Sequence, residues 1–365
     1  MSKHLWVALS PHGYGHGAMT APVVQELRRR RPGLRVTIQT ALPAGFLADR
    51  FGDGFEHVPD IPDFGLHMTS SVGIEFEASA AAYRALHADW PGAVEREAGR
   101  LAAARPDLVL ANIPYVTIAA AARVGVPVVA LSSLNWAGIY AHYFGDRPEA
   151  GRIAGQMRAA YAQAAVFLRC LPAMDMDLPN LLDIGTVARR GADRRRELRT
   201  ALGVGDETRV GVVAFGGIDH RLRMELWPRI PGWRWLVPSA APGREDLVPW
   251  EASGLSFTDL LSSVDVAVSK PGYGTFTEAG LSGTPMLYLS RPDWPECPHL
   301  DRWLERHAPC RAVAAEDLLS PGLAGILDEL LSCPRPAVAQ AAGIAEATDI
   351  LEGFLDGGRA NCLGS

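Results

Sequence analysis

The amino-acid sequence alternates short apolar runs with helix-patterned stretches along nearly its whole length, and the pattern starts twice. "LWVALS", "RVTIQT", "DLVLAN" and "PVVALS" read as buried parallel strands, β-branched or apolar throughout and punctuated at their ends. "APVVQELRRRR", "SAAAYRALHADWPGAVEREAGRLAAA" and "VTIAAAARVG" lie between them as helical segments. This alternation specifies an α/β fold with a doubly wound parallel sheet, in which ligands collect at the C-terminal ends of the strands. A proline-containing and then charge-rich passage ends near residues 184–200, and "RVGVVAFGGIDH", "WRWLVPS", "VDVAVSK" and "TPMLYLS" repeat the pattern. Two Rossmann-like domains follow, over residues 1–186 and 187–338, and the amphipathic end of the chain predicts a helix at about 340–360 that packs back on the first. A length of 365 residues, 48% hydrophobic, is ample for two such cores.

Charge and cysteine content narrow the function classes. A formal net charge of −6 argues against a nucleic-acid binder. The five cysteines (Cys170, Cys297, Cys310, Cys333, Cys362) show no C-x-x-C spacing, which points to reduced thiols rather than a disulfide framework or zinc site. The beginning of the chain lacks the apolar region of a signal peptide, and no run reaches the roughly 18–20 apolar residues of a membrane span. The expectation is a cytoplasmic protein. The basic cluster Arg28 to Arg31 reads as the solvated C-terminal end of the first helix, complementing its dipole, with peripheral contact to anionic lipid as the alternative.

Two glycine-rich turns carry the chemistry. In "SPHGYGHG", His12 and His16 stand among Gly13, Gly15 and Gly17 directly after the first strand, at the ligand-binding rim. A turn needs a glycine or two but no imidazole, whereas a site requiring close backbone approach beside an ionisable group needs both. His16 is either a general base or a residue bonding a backbone carbonyl in a crowded turn, and His12 shapes the pocket. In "VDVAVSKPGYGTFTEAGLSGTPMLYLSRPDWPECPHLDRWLE" (264–305) a strand ends at Ser269, and Gly272 and Gly274 flank Tyr273 in a tight turn. Thr275 or Thr277 caps the helix that follows, whose N-terminus is an anion site suited to a diphosphate. Glu278 can accept from a ribose diol. In "FGGIDH", Gly216 and Gly217 either bring N–H groups to the phosphates or serve packing. In "SSLNWAGIY", Asn135, Trp136 and Tyr140 either line an acceptor pocket or fill the core. "MDMD" (174–177) imitates a metal motif but lies in a proline-bounded loop, so no metal site is expected. Asp107, at the start of its strand, reads as structural, and Trp233 and Trp235 as packing on the second sheet.

At "GYGTFTE" and the Gly-x-Pro turn "GTP", the chain resembles the GT-B nucleotide-sugar glycosyltransferases, including the bacterial enzymes that add N-acetylglucosamine to the peptidoglycan precursor. "HGYGH", "DLVLAN", "SSLNWAGIYAHY" and "GYGTFTEA" are similar to the glycosyltransferase-like N-terminal region of plant L-arabinokinases, over most of residues 8–310. The resemblance implies two domains facing across a cleft, with Glu278 on the ribose and His16 as the base. It places "RPDWPECPH", with Asp293, Glu296 and His299, where the family contacts the donor sugar, often through glutamines. Asn112 stands where the arabinokinase-like region has aspartate; it joins His12, Asn135 and Trp136 on the acceptor side, and loops such as 60–78 read the acceptor.

The implied activity is inverting, metal-independent transfer of a hexose-type sugar from a nucleotide-sugar donor, UDP-linked, to a hydroxyl on a small-molecule or lipid-linked acceptor, with no separate cofactor. The alternatives are a nucleotide-sugar hydrolase and a non-catalytic nucleotide-sugar-binding protein.

Overall fold

The apolar runs become the inner strands of two parallel sheets in a computed structural model that describes residues 2–70, 73–215, 223–239 and 242–358. The first sheet contains β1 (His4–Leu9), β2 (Arg35–Gln39), β3 (Glu56–Val58), β4 (Leu108–Asn112), β5 (Val128–Ser132), β6 (Val166–Cys170) and β7 (Leu181–Ile184). Their order is β3-β2-β1-β4-β5-β6-β7, so the chain reverses direction across the sheet between β1 and β4. That reversal opens a crevice beyond the carboxyl ends of β1 and β4, the position at which open α/β sheets bind ligands. The helices flanking this sheet are α1 (Gly15–Arg30), α2 (Ala44–Phe51), α3 (Phe76–Ala88), α4 (Trp90–Ala104), α5 (Tyr115–Arg123), α6 (Trp136–Phe144) and α7 (Ala150–Tyr161). β1, β4 and β5 are buried at every residue, which explains their unbroken apolar character.

The second sheet repeats the plan with β8 (Arg209–Ala214), β9 (Trp233–Val237), β10 (Leu247–Pro249), β11 (Val266–Ser269), β12 (Met286–Leu289) and β13 (Cys310–Val313), in the order β10-β9-β8-β11-β12-β13. Its reversal lies between β8 and β11. The accompanying helices are α8 (Arg195–Leu202), α9 (Phe257–Ser263), α10 (Tyr273–Ser282), α11 (Cys297–Glu305), α12 (Ala315–Leu318) and α13 (Leu323–Ser332). Trp233 and Trp235 stack with ring centroids 4.9 Å apart within the core of this sheet. A side chain at Gly211 on neighbouring β8 would begin 2.3 Å from the Trp235 ring, so that glycine is required by the tryptophan.

The chain divides into two compact units. Met1–Thr69, Gly73–Val187 and Ala342–Ser365 form the first, and Ala188–Ala341 make up the body of the second. The returning segment of the first unit is α14 (Gly343–Leu355), packed along α1. Here the basic cluster differs from the expected solvated helix end. Arg30 donates to Asp349 (2.5 Å) and Glu352 (2.9 Å), and Arg31 donates to Glu352 (3.2 Å) and to Asp356. These pairs are largely solvent-screened and add little to stability. Apolar burial of Ala347, Leu351 and Leu355 anchors the helix, and the ion pairs set its register.

The entry to α14 is tight. The Gly343 N–H donates to the Thr186 carbonyl (3.2 Å), and a β-carbon at Gly343 would lie 2.1 Å from the Gly185 carbonyl oxygen. Gly343→Ala should therefore force the backbones apart and cost about 1–3 kcal/mol, read in urea unfolding as a lower midpoint.

The stretch "SAAAYRALHADWPGAVEREAGRLAAA" is two helices, not one. Pro91 lies in the first turn of α4, where its missing N–H is harmless; the same proline in a continuous helix would remove an interior bond. Asp107 accepts from the His4 N–H (2.7 Å) and from Lys3 (3.1 Å), fastening β4 beside β1.

Candidate functional site

β1 delivers the histidine-glycine turn to the rim of the first sheet. Gly13 has φ of 71°, the left-handed region that favours glycine, and its N–H donates to the Pro11 carbonyl. Gly15 opens α1. Its φ is unexceptional, and a β-carbon there would meet nothing within 4 Å. Among the described residues, neither conformation nor packing requires glycine at 15.

His16, on the first turn of α1, exposes 7% of its surface. Its Nδ1 lies 2.8 Å from Oδ1 of Asn112, the last residue of β4. The orientation of that amide follows from its other bonds. The Thr20 hydroxyl donates to the His16 carbonyl (2.9 Å), so its oxygen accepts from Asn112 Nδ2 (3.0 Å), and this turns Oδ1 toward the imidazole. Nδ1 must then carry the hydrogen, and Nε2 keeps its lone pair. Burial pushes the imidazole down to about 4, the Asn112 hydrogen bond opposing only part of that shift. At neutral pH His16 is an uncharged acceptor.

Three residues expected on the acceptor side are buried and bonded within the first unit. Asn112 is fully buried, and its side chain is committed to His16 and Thr20. Asn135 is the N-cap of α6, accepting from the Gly138 N–H (2.8 Å). Trp136 is fully buried, donates from Nε1 to the Ser10 hydroxyl (3.0 Å), and lies against both His12 (5.0 Å between ring centroids) and His16 (5.7 Å). Gly65 has to be glycine because the Trp136 ring would lie 2.4 Å from a β-carbon there. His12 remains half-buried, accepting from the Leu66 N–H at 3.4 Å. Thr20, which orients the amide, was missed by the sequence reading although it lies one helical turn beyond His16.

In the second unit, β11 ends at Ser269 and α10 begins at Tyr273 with Gly272 as its N-cap. Neither Gly272 nor Gly274 adopts a positive φ, so the short connection from Ser269 to Tyr273 does not need glycine for its backbone conformation. Among the described residues, a β-carbon at Gly274 would meet nothing within 4 Å, and one at Gly272 only the Lys270 ammonium at 3.8 Å. Thr275 and Thr277 do not cap the helix. Thr275 lies within its first turn, and the Thr277 hydroxyl bonds back to the Tyr273 (2.7 Å) and Gly274 (3.0 Å) carbonyls. Glu278 is half-buried on the same helix.

Beyond β12, Asp293 is exposed, His299 is half-buried near Arg302, and Glu296 is buried with the Trp294 indole N–H 3.4 Å away. Gly216 and Gly217 lie outside the described residues. Among those described, no group of three or more His, Cys, Asp or Glu side chains is placed to hold a metal ion, and no helix is long and apolar enough to cross a membrane.

Two doubly wound parallel units, each with a glycine-bearing helix start at its reversal point, are the fold of the GT-B glycosyltransferases. No protein-family model matches the chain. The calicheamicin glycosyltransferase CalG4 matches with a TM-score of 0.61 at 16% identity, over 97% of this chain and 98% of that one. Arabidopsis thaliana UGT89C1 complexed with UDP matches with a TM-score of 0.58 at 16% identity, over 98% and 97%. Among curated proteins, the L-arabinokinase of Arabidopsis thaliana is 27% identical over 328 residues, 87% of this chain and 31% of that one. The chain thus spans about a third of that relative's length.

Proposed function

We propose that the protein is an inverting, metal-independent glycosyltransferase that moves a hexose-type sugar from a UDP-linked donor to a hydroxyl acceptor. The observation that carries this reading is the state of His16: neutral, with Nδ1–H tied to Asn112 and Nε2 left as an acceptor, at the rim of β1 in a GT-B fold. The names of the structural neighbours, a glycosyltransferase and a protein holding UDP, support the donor class. In the displacement, the acceptor hydroxyl gives its proton to His16 Nε2 while its oxygen bonds to the anomeric carbon. The bond from that carbon to the diphosphate breaks in the same step, and its electron pair leaves on the phosphate oxygen. One displacement gives one inversion. The N-terminus of α10, with its bare glycines, stabilises the departing diphosphate through its dipole and N–H groups.

The test is UDP release from a panel of UDP-sugars, with and without hydroxyl acceptors, in EDTA. Acceptor-dependent release that survives EDTA supports the proposal; equal release of free sugar without any acceptor replaces it with hydrolysis. Glu278→Ala should weaken UDP binding by about 1.5–3 kcal/mol, tenfold or more in Kd, as expected for a charge-assisted bond to the ribose. Unchanged affinity by titration calorimetry would remove Glu278 from the donor site.

One observation favours a second reading. Asn112 cannot stabilise an imidazolium as a carboxylate would, and a protein that binds nucleotide sugars without turning them over is consistent with it. That reading predicts tight UDP-sugar binding and no UDP release with any acceptor.

A further inference from the structure

Asp63 is a buried acid with no part in the displacement proposed above. It exposes 3% of its surface, in the segment between β3 and α3. Its Oδ2 accepts from the Val116 N–H (2.8 Å), in the first turn of α5 and 53 residues away in the chain. The N-cap of α5 is Pro114, which has no side-chain oxygen and makes no capping bond. Asp63 therefore supplies the cap that the local sequence does not. Its other oxygen, Oδ1, is buried with no hydrogen-bond partner among the described residues. Burial pushes the carboxyl well above the usual carboxylate range; the Val116 N–H opposes this, and the Glu97 carboxyl on α4 adds to it. Burial first, and then Asp63, push up the phenols of Tyr83 on α3, Tyr115 on α5 and Tyr161 on α7. A buried acid with one oxygen unfilled costs stability relative to an apolar side chain, so its contribution lies in placing the two segments it joins.

Those two segments enclose His16. Only Ile113 and Pro114 separate α5 from Asn112, whose side chain bonds the imidazole. On the segment of Asp63, Gly65 lies against the Trp136 ring, and its carbonyl accepts from the Tyr83 hydroxyl (2.6 Å). The His67 N–H on the same segment donates to the Ser79 hydroxyl (2.9 Å). The Trp136 ring in turn lies against His16. Tyr161 links the two sides, its hydroxyl donating to the Ile113 carbonyl (2.9 Å) and accepting from the Trp136 N–H (3.2 Å).

We propose that Asp63 is a positioning residue for His16: by capping α5 from the segment that lies against Trp136, it holds the Asn112 and Trp136 sides of the imidazole closed. Its consequence for turnover rests on the glycosyltransferase reading; the enclosure of His16 does not.

The experiment titrates the imidazoles of the full chain by NMR, with His16 assigned from the signal missing in His16→Gln. No substrate is needed. His16 of the wild type should titrate at about 4. In Asp63→Ala the cap of α5 is lost and water reaches the imidazole, so its titration should move up by about one pH unit or more, toward the ordinary 6.5. Asp63→Asn keeps an oxygen for the Val116 N–H and should restore the wild-type titration to within about half a unit. Asp63→Ser, too short to reach that N–H, replaces Asp63→Ala should the alanine variant not fold. A His16 titration unmoved in the folded alanine or serine variant, whatever the change in Tm, overturns the positioning role. So does one moved as far by Asp63→Asn as by Asp63→Ala, or a wild-type His16 that already titrates near 6.5.

Turnover supplies the second reading. In Asp63→Ala kcat should fall about tenfold or more with UDP affinity within a factor of about two, and Asp63→Asn should recover it. A His16 titration that shifts as expected in a protein releasing no UDP from any donor keeps the positioning role and removes the glycosyltransferase reading.

Discussion

His16→Ala should lower kcat by about 10² to 10⁴ while leaving UDP affinity within a factor of about two, as expected for loss of a positioned general base. His16 is bonded to Asn112 within the first unit, whereas the residues proposed to hold UDP belong to the second, so binding and turnover should separate cleanly. Measurement of UDP release and of UDP titration on the same preparation checks this. The pH profile provides an independent reading. With His16 at about 4 in the folded chain, kcat/KM should stay level from pH 8 to pH 5 and fall only below that. The same shift acts on stability. The unfolded histidine takes its proton near 6.5 and the folded one near 4, so the unfolded state binds the proton first. Stability is thus lost as pH falls through that window, by about 3 kcal/mol at completion. His16→Gln lacks this term, and its unfolding free energy should fall less between pH 6.5 and 4 than that of the wild type. Asp63, raised well above its ordinary value by burial, contributes the opposite slope to both proteins and cancels from the comparison. A variant lacking His16 that turns over at the wild-type rate would return the histidine to a structural role.

The alternation of apolar runs and helices was legible because strands covered on both faces have no polar face to disguise them. β1, β4, β5, β8, β9, β11 and β12 each fall within the run read from the sequence, to within a residue or two at the ends. The break between α3 and α4 was readable in principle: Pro91 following Trp90 is a helix-start signal, and it was taken as an interior residue. Asn135 carried a similar signal, an asparagine immediately before a helical run, which is an N-cap before it is a pocket residue.

Other features depend on contacts that no local pattern contains. His16 and Asn112 are 96 residues apart, and meet only because the sheet order sets β4 beside β1. The ion pairs of Arg30 and Arg31 reach partners more than 300 residues away, so the cluster looked like a solvated helix end.

Asn112→Asp should move the acid limb of kcat/KM upward by one to three units, because a carboxylate at hydrogen-bond distance from Nδ1 stabilises the imidazolium that the asparagine cannot. The change should raise turnover as well. Replacing the orienting aspartate of a serine-protease triad by asparagine costs about 10⁴ in kcat, and the substitution here runs in the opposite direction. A gain of tenfold or more is expected, short of that full factor because the new side chain loses the two amide hydrogens. Those hydrogens bond the Thr20 hydroxyl and the His16 carbonyl, so Thr20 must turn to donate to the new carboxylate. The substitution also buries a charge, and at pH 8, with His16 neutral, that charge has no counter-ion within the network. The Tm should therefore fall, and the gap to the wild type should narrow as the solution is acidified and His16 takes up its proton. An acid limb that stays near pH 4 with unchanged kcat would show that His16 does not handle the proton. If the wild type binds UDP-sugars without turnover and Asn112→Asp releases UDP, the native protein is a binder whose base is held inactive by one amide.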